Sequence, residues 1–342
     1  MSKILVTGGA GLIGSFVVRK LLELGHQPIV FDSFTQYTSP LKNNYQKYIK
    51  LRFKDIEDSV IFERGTTVDR EDLFNVITKH KPTKVIHLAA IPIADEAEKH
   101  IEETIKSIGI GTANILSVIK ECGFVDRFVY ISSSTVYGDF LYDPAPEDHP
   151  LNPIQRYSLV KLFGEHLTKV AGLRDNIDYV IIRPSAVYGP TDTNRRVVQI
   201  FLENAILGKP ILLYNNGEEK LDFTYVEDAA EGIVLAAFEP KARNQVFNIT
   251  NGEAKSLKDL AEILKVYFPN IKIELTSKDI AYQRPKRGAL DISKAKKVLG
   301  FNPKNNLESG VKKYLGFMAD HLIENQSERE KLKEILNKKI IL

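Results

Sequence analysis

Tyr157 and Lys161 stand four residues apart in Tyr157-Ser158-Leu159-Val160-Lys161, a spacing that puts a phenol and an ammonium on one face of a helix. An ammonium near a phenol favours the phenolate, which makes tyrosine a usable base near neutral pH. Upstream, the apolar run Phe128-Val129-Tyr130-Ile131 leads into Ser132-Ser133-Ser134-Thr135-Val136-Tyr137-Gly138. This places hydroxyls at the C-terminal end of a strand, where parallel sheets line their ligand crevices. A serine there can share the substrate proton with the base.

A second chemical motif opens the chain. Thr7-Gly8-Gly9-Ala10-Gly11-Leu12-Ile13-Gly14 follows an apolar run and begins an amphipathic one. Glycines at 8, 11 and 14 permit a tight turn and close backbone approach to a pyrophosphate, while Leu12 and Ile13 sit in the first helical turn, whose free N–H groups and positive dipole end face that anion. Asp32 lies eighteen residues past Gly14, at the end of the next strand-like run. A carboxylate there accepts hydrogen bonds from both adenosine ribose hydroxyls and repels a 2′-phosphate, which favours NAD over NADP. The same side chain could instead serve as a cap for the following loop.

These residues need a parallel sheet to position them, and the N-terminal half carries its pattern. Short β-branched runs at 3–7, 27–31, 84–88, 127–132 and 178–183 alternate with segments at 14–24, 70–80, 101–121 and 157–171, whose apolar residues recur at three-to-four spacing. The fold class this predicts is α/β, a Rossmann-like doubly wound parallel sheet with helices on both faces. Pro184, Gly189, Pro190, Gly208, Pro210 and Gly217 punctuate the second half, which predicts a smaller C-terminal α/β substrate domain with helices at 197–207 and 256–268. A helix at 226–238 and a strand at 246–249 return the chain to the larger domain, so the two interleave. Residues 1–183 and 221–250 are assigned to the dinucleotide-binding unit, 184–220 and 251–322 to the substrate unit, and 323–342 to a charged helical extension. The segment 36–60, with Tyr37, Tyr45 and Tyr48 among lysines, is long for such a connection, and reads either as a cover for the site or as an elaborated surface loop.

Composition narrows the partners. Over 342 residues, 47 Lys plus Arg against 44 Asp plus Glu leave a formal charge of +3, too small for a general nucleic-acid or membrane-surface binder. With 43% hydrophobic and 27% charged residues the chain fits a soluble globular protein. The single cysteine, Cys122, excludes an intrachain disulfide and a multi-cysteine metal centre, and suits a reducing compartment. The first residues run straight into a strand, without the regions of a secretory signal, and no apolar run approaches the ~20 residues of a membrane span. The expectation is a cytoplasmic protein with no nucleic-acid, membrane or metal partner.

With these motifs on the page, the chain resembles the extended short-chain dehydrogenases/reductases, and within them the NAD-dependent nucleotide-sugar epimerase/dehydratase group that includes UDP-glucose 4-epimerase-like enzymes. The resemblance runs to about residue 303 and extends to His87-Leu88-Ala89-Ala90, Arg183-Pro184-Ser185-Ala186-Val187-Tyr188-Gly189-Pro190, Asp222-Phe223-Thr224-Tyr225-Val226-Glu227-Asp228-Ala229-Ala230 and Asp291-Ile292-Ser293-Lys294-Ala295. It implies that Tyr157 is the base at a sugar hydroxyl, that Lys161 also holds the nicotinamide ribose, and that Ser133, with Ser134 adjacent, bonds the reacting oxygen. It also implies that Leu88, Ala89 and Ala90 join the cofactor site, that the substrate is a nucleotide-diphosphate sugar, and that the helices at 101–121 and 157–171 pair as the four-helix interface of a homodimer.

Several positions depart from that family's pattern. Its Gly-Asp pair near the adenine is Gly65-Thr66 here, leaving Thr66 a hydroxyl contact at most; its Asn on the long helix is Ile108; and its diphosphate-binding Arg before Asp-Phe is Leu221, beside Lys220. Candidate replacements are Arg195 and Arg196, and Arg284 and Arg287, because guanidinium forks suit phosphate oxygens; surface charge is the plainer reading of each. Ser134-Thr135 occupies the place where family dehydratases carry Asp-Glu, and where decarboxylases carry Glu beside Val-Tyr-Gly. Their absence disfavours both chemistries. The expected function is epimerisation of a nucleotide-activated sugar through a transient 4-keto intermediate. The alternatives are a one-way 4-dehydrogenase or 4-ketoreductase and, from another class, a non-catalytic dinucleotide-binding sensor.

Overall fold

The computed structural model describes residues 1–35, 45–91, 94–276 and 284–338. In chain order the first half runs β1 (Lys3–Thr7), α1 (Leu12–Glu23), β2 (Gln27–Asp32), α2 (Tyr45–Phe53), β3 (Ile61–Arg64), α3 (Arg70–His80), β4 (Lys84–His87), α4 (Ala94–Lys99), α5 (Ile101–Thr104), α6 (Gly111–Cys122), β5 (Arg127–Ile131), α7 (Arg156–Asp175) and β6 (Tyr179–Arg183). The second half adds β7 (Val187–Tyr188), α8 (Val197–Ile206), β8 (Ile211–Tyr214), β9 (Lys220–Asp222), β10 (Thr224–Tyr225), α9 (Val226–Phe238), β11 (Gln245–Asn248), β12 (Ala254–Ser256), α10 (Leu257–Tyr267), β13 (Ile273–Thr276), α11 (Ser293–Leu299), α12 (Leu307–His321) and α13 (Gln326–Lys338).

Seven strands form one sheet in the order β11-β6-β5-β4-β1-β2-β3, and every pairing in it is parallel. Strands covered on both faces read as continuous apolar runs, and Ile4, Leu5, Val6, Ile29, Val30, Val85 and Ile86 are fully buried. The chain winds outward from β1 to β3, then returns to place β4 on the other side of β1. That reversal opens a crevice at the C-terminal ends of β1 and β4, the switch point where ligands of doubly wound sheets sit.

Helix α9 brings the chain back to this layer, where Ala230, Ile233, Val234 and Ala237 pack with Val17, Val18 and Leu21 of α1. Helix α11 joins it: Ile292, Ala295, Leu299 and Phe301 lie in the same core, although the sequence assigns 251–322 to the other lobe. Their apolar faces fit the groove beside α9 and β11. A second core gathers Val198, Phe201, Leu202, Ile211, Leu260, Leu264, Val311, Tyr314 and Leu315, and receives Leu332 and Leu336 from α13. Leu221, Phe223 and Tyr225 also belong there, so the second lobe begins its return later than residue 221.

One predicted helix is divided. Between α5 and α6, Ile105–Ile110 forms a π-helical turn, an insertion that shifts the register of the helix face. Gly109 and Gly111 lie in and just after it, and a Cβ at Gly111 would come 2.6 Å from Thr67 Oγ1, so the wide turn sits where the helix passes close to its neighbours. Strand β3 and helix α2, which the sequence pattern leaves inside a long connection, complete the sheet edge and the wall beside β2. No helix among the described residues is long and apolar enough to cross a membrane.

Candidate active site

A cavity of about 350 Å³ occupies the crevice at the strand ends, in the size range of small-molecule sites. At one end the glycine loop forms its floor. Gly14 has to be glycine because a Cβ there would lie 2.4 Å from Gly8 O and 2.7 Å from Gly9 Cα; this contact folds the loop tightly onto the start of α1. Gly11 caps that helix in an extended conformation with no side-chain cap. The first-turn amides, which have no intrahelical acceptor, therefore face the cavity, whose wall includes Gly8, Gly11, Leu12, Ile13 and Gly14. Asp32, Thr66, Leu88, Ala89 and Ala90 line the same region.

Asp32 ties two loops together and lines the cavity. Its Oδ2 accepts from Ala10 N at 3.0 Å and its Oδ1 from Phe34 N at 2.8 Å, so it ties the glycine loop to the loop after β2 while remaining on the cavity wall. Burial raises its pKa, against the pull of those amides and of Arg52. Thr66 lends its amide to Asp72 Oδ2 at 3.0 Å and takes a weak bond from Val68 N at 3.3 Å, leaving it as a turn-former on the wall.

At the other end Tyr157, Lys161, Ser132, Ser133 and Thr135 meet. Tyr157 and Lys161 come from the N-terminal turns of α7, and the hydroxyls from the loop after β5, which is why a strand end and a helix start distant in sequence share one site. Ser133 Oγ accepts from Thr135 Oγ1 at 2.9 Å and Thr135 N at 3.2 Å. Burial pushes the Tyr157 phenol up to about 12, opposed by the Arg196 charge and the nearby Ser133 hydroxyl. The sequence predicts Lys161 as the group that eases this phenol toward ionisation. Its Nζ donates to Ile131 O at 2.8 Å and sits 6.0 Å from the Tyr157 ring centroid, and burial drives the amine itself down to about 7, with Glu165 pulling it up.

The remaining sequence candidates divide. Arg196 reaches the cavity, held by Asp192 Oδ1 at 2.9 Å. Arg195 is carried outward on a left-handed backbone, φ 49°, and pairs with Glu203 at 2.6 Å. Arg284 pairs with Asp95 at 3.0 Å and Glu219 at 3.7 Å, and Arg287 faces Glu219 at 3.8 Å, with its buried Nε unpartnered among the described residues; neither is among the described residues that line the cavity. Ser134 is buried, its Oγ has no partner among the described residues, and it lies behind the wall that its neighbours Ser133 and Thr135 form. Of the segment 36–60, residues 36–44 lie outside the described residues, and α2 contributes Tyr45 and Arg52 to the wall near Asp32.

Three contributors stand outside the predicted site residues. Thr135 belongs to the hydroxyl run that the sequence places at the strand end, without a site role of its own. Arg52 donates to Ala10 O and to Thr191 Oγ1 and O, pinning the glycine loop to the second lobe; no local spacing signals a pairing across 139 residues. The third is Glu165, one turn beyond Lys161, with both oxygens taken by Ser132 and Arg183.

Comparisons with known proteins place the chain in a family. The model of the "NAD dependent epimerase/dehydratase family" matches residues 4–250. The chain is 30% identical to UDP-glucuronic acid decarboxylase 1 of Arabidopsis thaliana, over 94% of this chain and 71% of that protein. It superposes on the crystal structure of UDP-glucose 4-epimerase with UDP-glucose from Thermotoga maritima with a TM-score of 0.84 and 29% identity, covering 94% of this chain and 100% of that one. UDP-glucuronic acid 4-epimerase from Bacillus cereus, in complex with UDP-glucuronic acid and NAD, gives a TM-score of 0.82 and 26% identity over 97% and 99% of the two chains.

Proposed function

Because the chain belongs to the NAD dependent epimerase/dehydratase family, we propose that it inverts a stereocentre of a nucleotide-activated sugar through a transient 4-keto intermediate. NAD is the cofactor of that family, and the residues present fit it. The tight Gly8–Gly14 turn and the uncapped start of α1 would hold the pyrophosphate, Asp32 the adenosine ribose, Leu88, Ala89 and Ala90 the facing wall, and Lys161 the nicotinamide ribose. Bound there, NAD supplies reversible hydride acceptance.

The chain's own residues do the rest. Tyr157 takes the proton of the sugar hydroxyl and gives it back when the opposite face of the keto sugar is reduced. Ser133, braced by Thr135, holds the reacting oxygen. Arg196, at the wall near Tyr157, takes the anionic part of the substrate and favours the phenolate by its charge. The observation that carries the choice of epimerisation is the make-up of the wall: among its described residues Asp32 is the only carboxylate, at the β2 end, and the polar side chains at the reacting end are hydroxyls, Lys161, Asn194 and Arg196. Elimination of water needs a carboxylate acid and base at the reacting end, which the described wall does not offer. The exposed apolar face of α7, Leu159, Phe163, Val170 and Leu173, with Ile105 and Ile110 from the π-helical turn, suits pairing with a second copy of the chain. A reducing compartment suits its one cysteine.

The test is to incubate the enzyme with UDP-glucose or UDP-glucuronic acid and substoichiometric NAD, separating sugar isomers while following reduced cofactor by absorbance. Epimerisation yields isomers over many turnovers without accumulated NADH. Stoichiometric NADH would replace it with the 4-dehydrogenase alternative.

A further inference from the structure

Lys161 is almost wholly removed from water, which disfavours its charged form, with an aromatic face and one carbonyl beside the ammonium. Its side chain is 3% exposed, lies 5.4 Å from the Tyr130 ring centroid, and has Ile131 O as its hydrogen-bond acceptor. Charged and titratable groups approach from every neighbouring element. From β4 comes His87, held neutral by burial at about 3, and from β5 Tyr130, whose hydroxyl donates to Lys161 O at 3.2 Å. Tyr157 precedes Lys161 on α7; its amide donates to Glu98 of α4 at 3.2 Å, and Arg196 faces its hydroxyl. The one carboxylate whose charge acts on the amine is Glu165, a turn further along α7.

Glu165 is fully buried and fixed from three directions. Its Oε1 accepts from Ser132 Oγ at 2.6 Å and Arg183 Nε at 2.9 Å, its Oε2 accepts from Arg183 Nη2 at 2.7 Å, and Lys169 Nζ of the next turn of α7 pairs with Oε2 at 3.8 Å from the half-exposed side. Arg183 in turn donates to Tyr137 OH at 3.0 Å and Glu147 O at 2.9 Å, and Tyr137 donates to Asn248 Oδ1 at 2.7 Å. The carboxylate is thereby clamped to β6, β11 and the loop after β5, while its charge stays within a helical turn of Lys161, the i, i+4 spacing at which side chains meet.

Resting on the role of Tyr157 and Lys161 proposed above, we propose that Glu165 is the positioning residue of this site: its carboxylate keeps Lys161 cationic, and its bond to Ser132 fixes the loop that carries Ser133. Lys161 as a cation can hold a ribose hydroxyl by donation and favour a nearby phenolate; as a neutral amine it does neither well. A buried ion pair adds little to stability over an apolar pair. Here its use is electrical.

The charge and the shape of Glu165 can be separated. Glu165→Gln keeps the shape and loses the charge, Glu165→Asp keeps the charge and disturbs the fit, and Glu165→Gln with Arg183→Gln removes both charges without leaving one buried alone. Each is purified with NAD. Two readouts are taken: the pH profile of kcat/KM with whichever of UDP-glucose or UDP-glucuronic acid turns over, and the NMR titration of Lys161 in lysine-labelled protein, assigned by its loss in Lys161→Met. Less negative charge near Lys161 lowers the pH at which it loses its proton. The alkaline limb and the NMR midpoint therefore move down by about one pH unit or more in Gln, with about a tenfold loss of kcat/KM on the alkaline side, and by less in the double variant, which also loses the Arg183 charge, while Asp stays near the unsubstituted enzyme. An unmoved midpoint in folded Glu165→Gln, a midpoint that rises in the double variant, or a shift in Asp equal to that in Gln overturns the proposal. Retained turnover in Tyr157→Phe would instead overturn the catalytic reading beneath it, whatever the Glu165 variants do.

Discussion

Gly164 lies between Lys161 and Glu165 on the sequence and against the sheet in space. A Cβ there would come 2.1 Å from Tyr130 Oη and 2.5 Å from Tyr130 Cζ, and the Tyr130 ring, 1% exposed, has no solvent to retreat into. Ordinary contact begins at 3.4 Å, so in Gly164→Ala helix α7 and the ring have to part by roughly 1 Å, an overpacking that costs about 1–3 kcal/mol. The same displacement moves Lys161 off Ile131 O and Tyr157 off Ser133. A misplacement of ~1 Å in catalytic groups costs on the order of 100-fold in rate. Gly164→Ala should therefore lower the melting temperature and reduce kcat by that order, while NAD affinity changes less, because the glycine loop stands on β1 and α1. Adding Tyr130→Leu makes room for the methyl group and should recover part of kcat. The measurements are thermal unfolding, turnover with the active nucleotide sugar, and NAD titration. A Gly164→Ala enzyme that melts and turns over like the unsubstituted one refutes the idea that close packing of α7 on β5 sets the site.

Other substitutions test the remaining assignments. Tyr157→Phe removes one hydroxyl and should cost at least ~10²–10⁴-fold in turnover with NAD binding and thermal unfolding nearly intact; normal turnover would move the base elsewhere. Asp32→Ala removes both the ribose acceptor and the tie to Ala10 N, so NAD affinity should fall and its preference over NADP narrow, as competitive titration of the two cofactors would reveal. Phe163→Glu with Leu173→Glu places charge on the apolar face of α7 and should yield a monomer by sedimentation analysis; an unchanged sedimentation coefficient would exclude that face from self-association.

The parts of this molecule legible in sequence are those whose cause is local. The glycine loop, the strand ends at Asp32 and Ile131 and the Tyr157–Lys161 face of α7 each follow from backbone freedom, β-branched runs or helical spacing within a dozen residues. Strand β3 was hidden because an edge strand of four residues, half of them exposed, has no continuous apolar run. The division of the helix at 101–121 by a π-helical turn, with Gly111 packed closely on Thr67 just after it, is not recorded in the apolar periodicity. Arg52 and Glu165 were missed for the same reason: their partners, Thr191 and Arg183, are brought to them by the sheet. Ser134 and Ser133 show the limit of motif reading, since neighbours of identical type are sent to opposite sides of one backbone.

The position of β11 has a meaning for how the molecule is made. It pairs with β6, yet the whole of α8 and the first strands of the second lobe are synthesised between them. At translation speeds of about 5–20 residues per second, the outer edge of β6 waits on the order of several seconds for its partner. During that interval a row of unpaired strand N–H and C=O groups, flanked by fully buried-to-be Val180, Ile181 and Ile182, is open to any other extended chain. The interleaving that builds the crevice between the lobes thus lengthens the time for which each newborn chain depends on whatever the cell provides to keep strand edges apart.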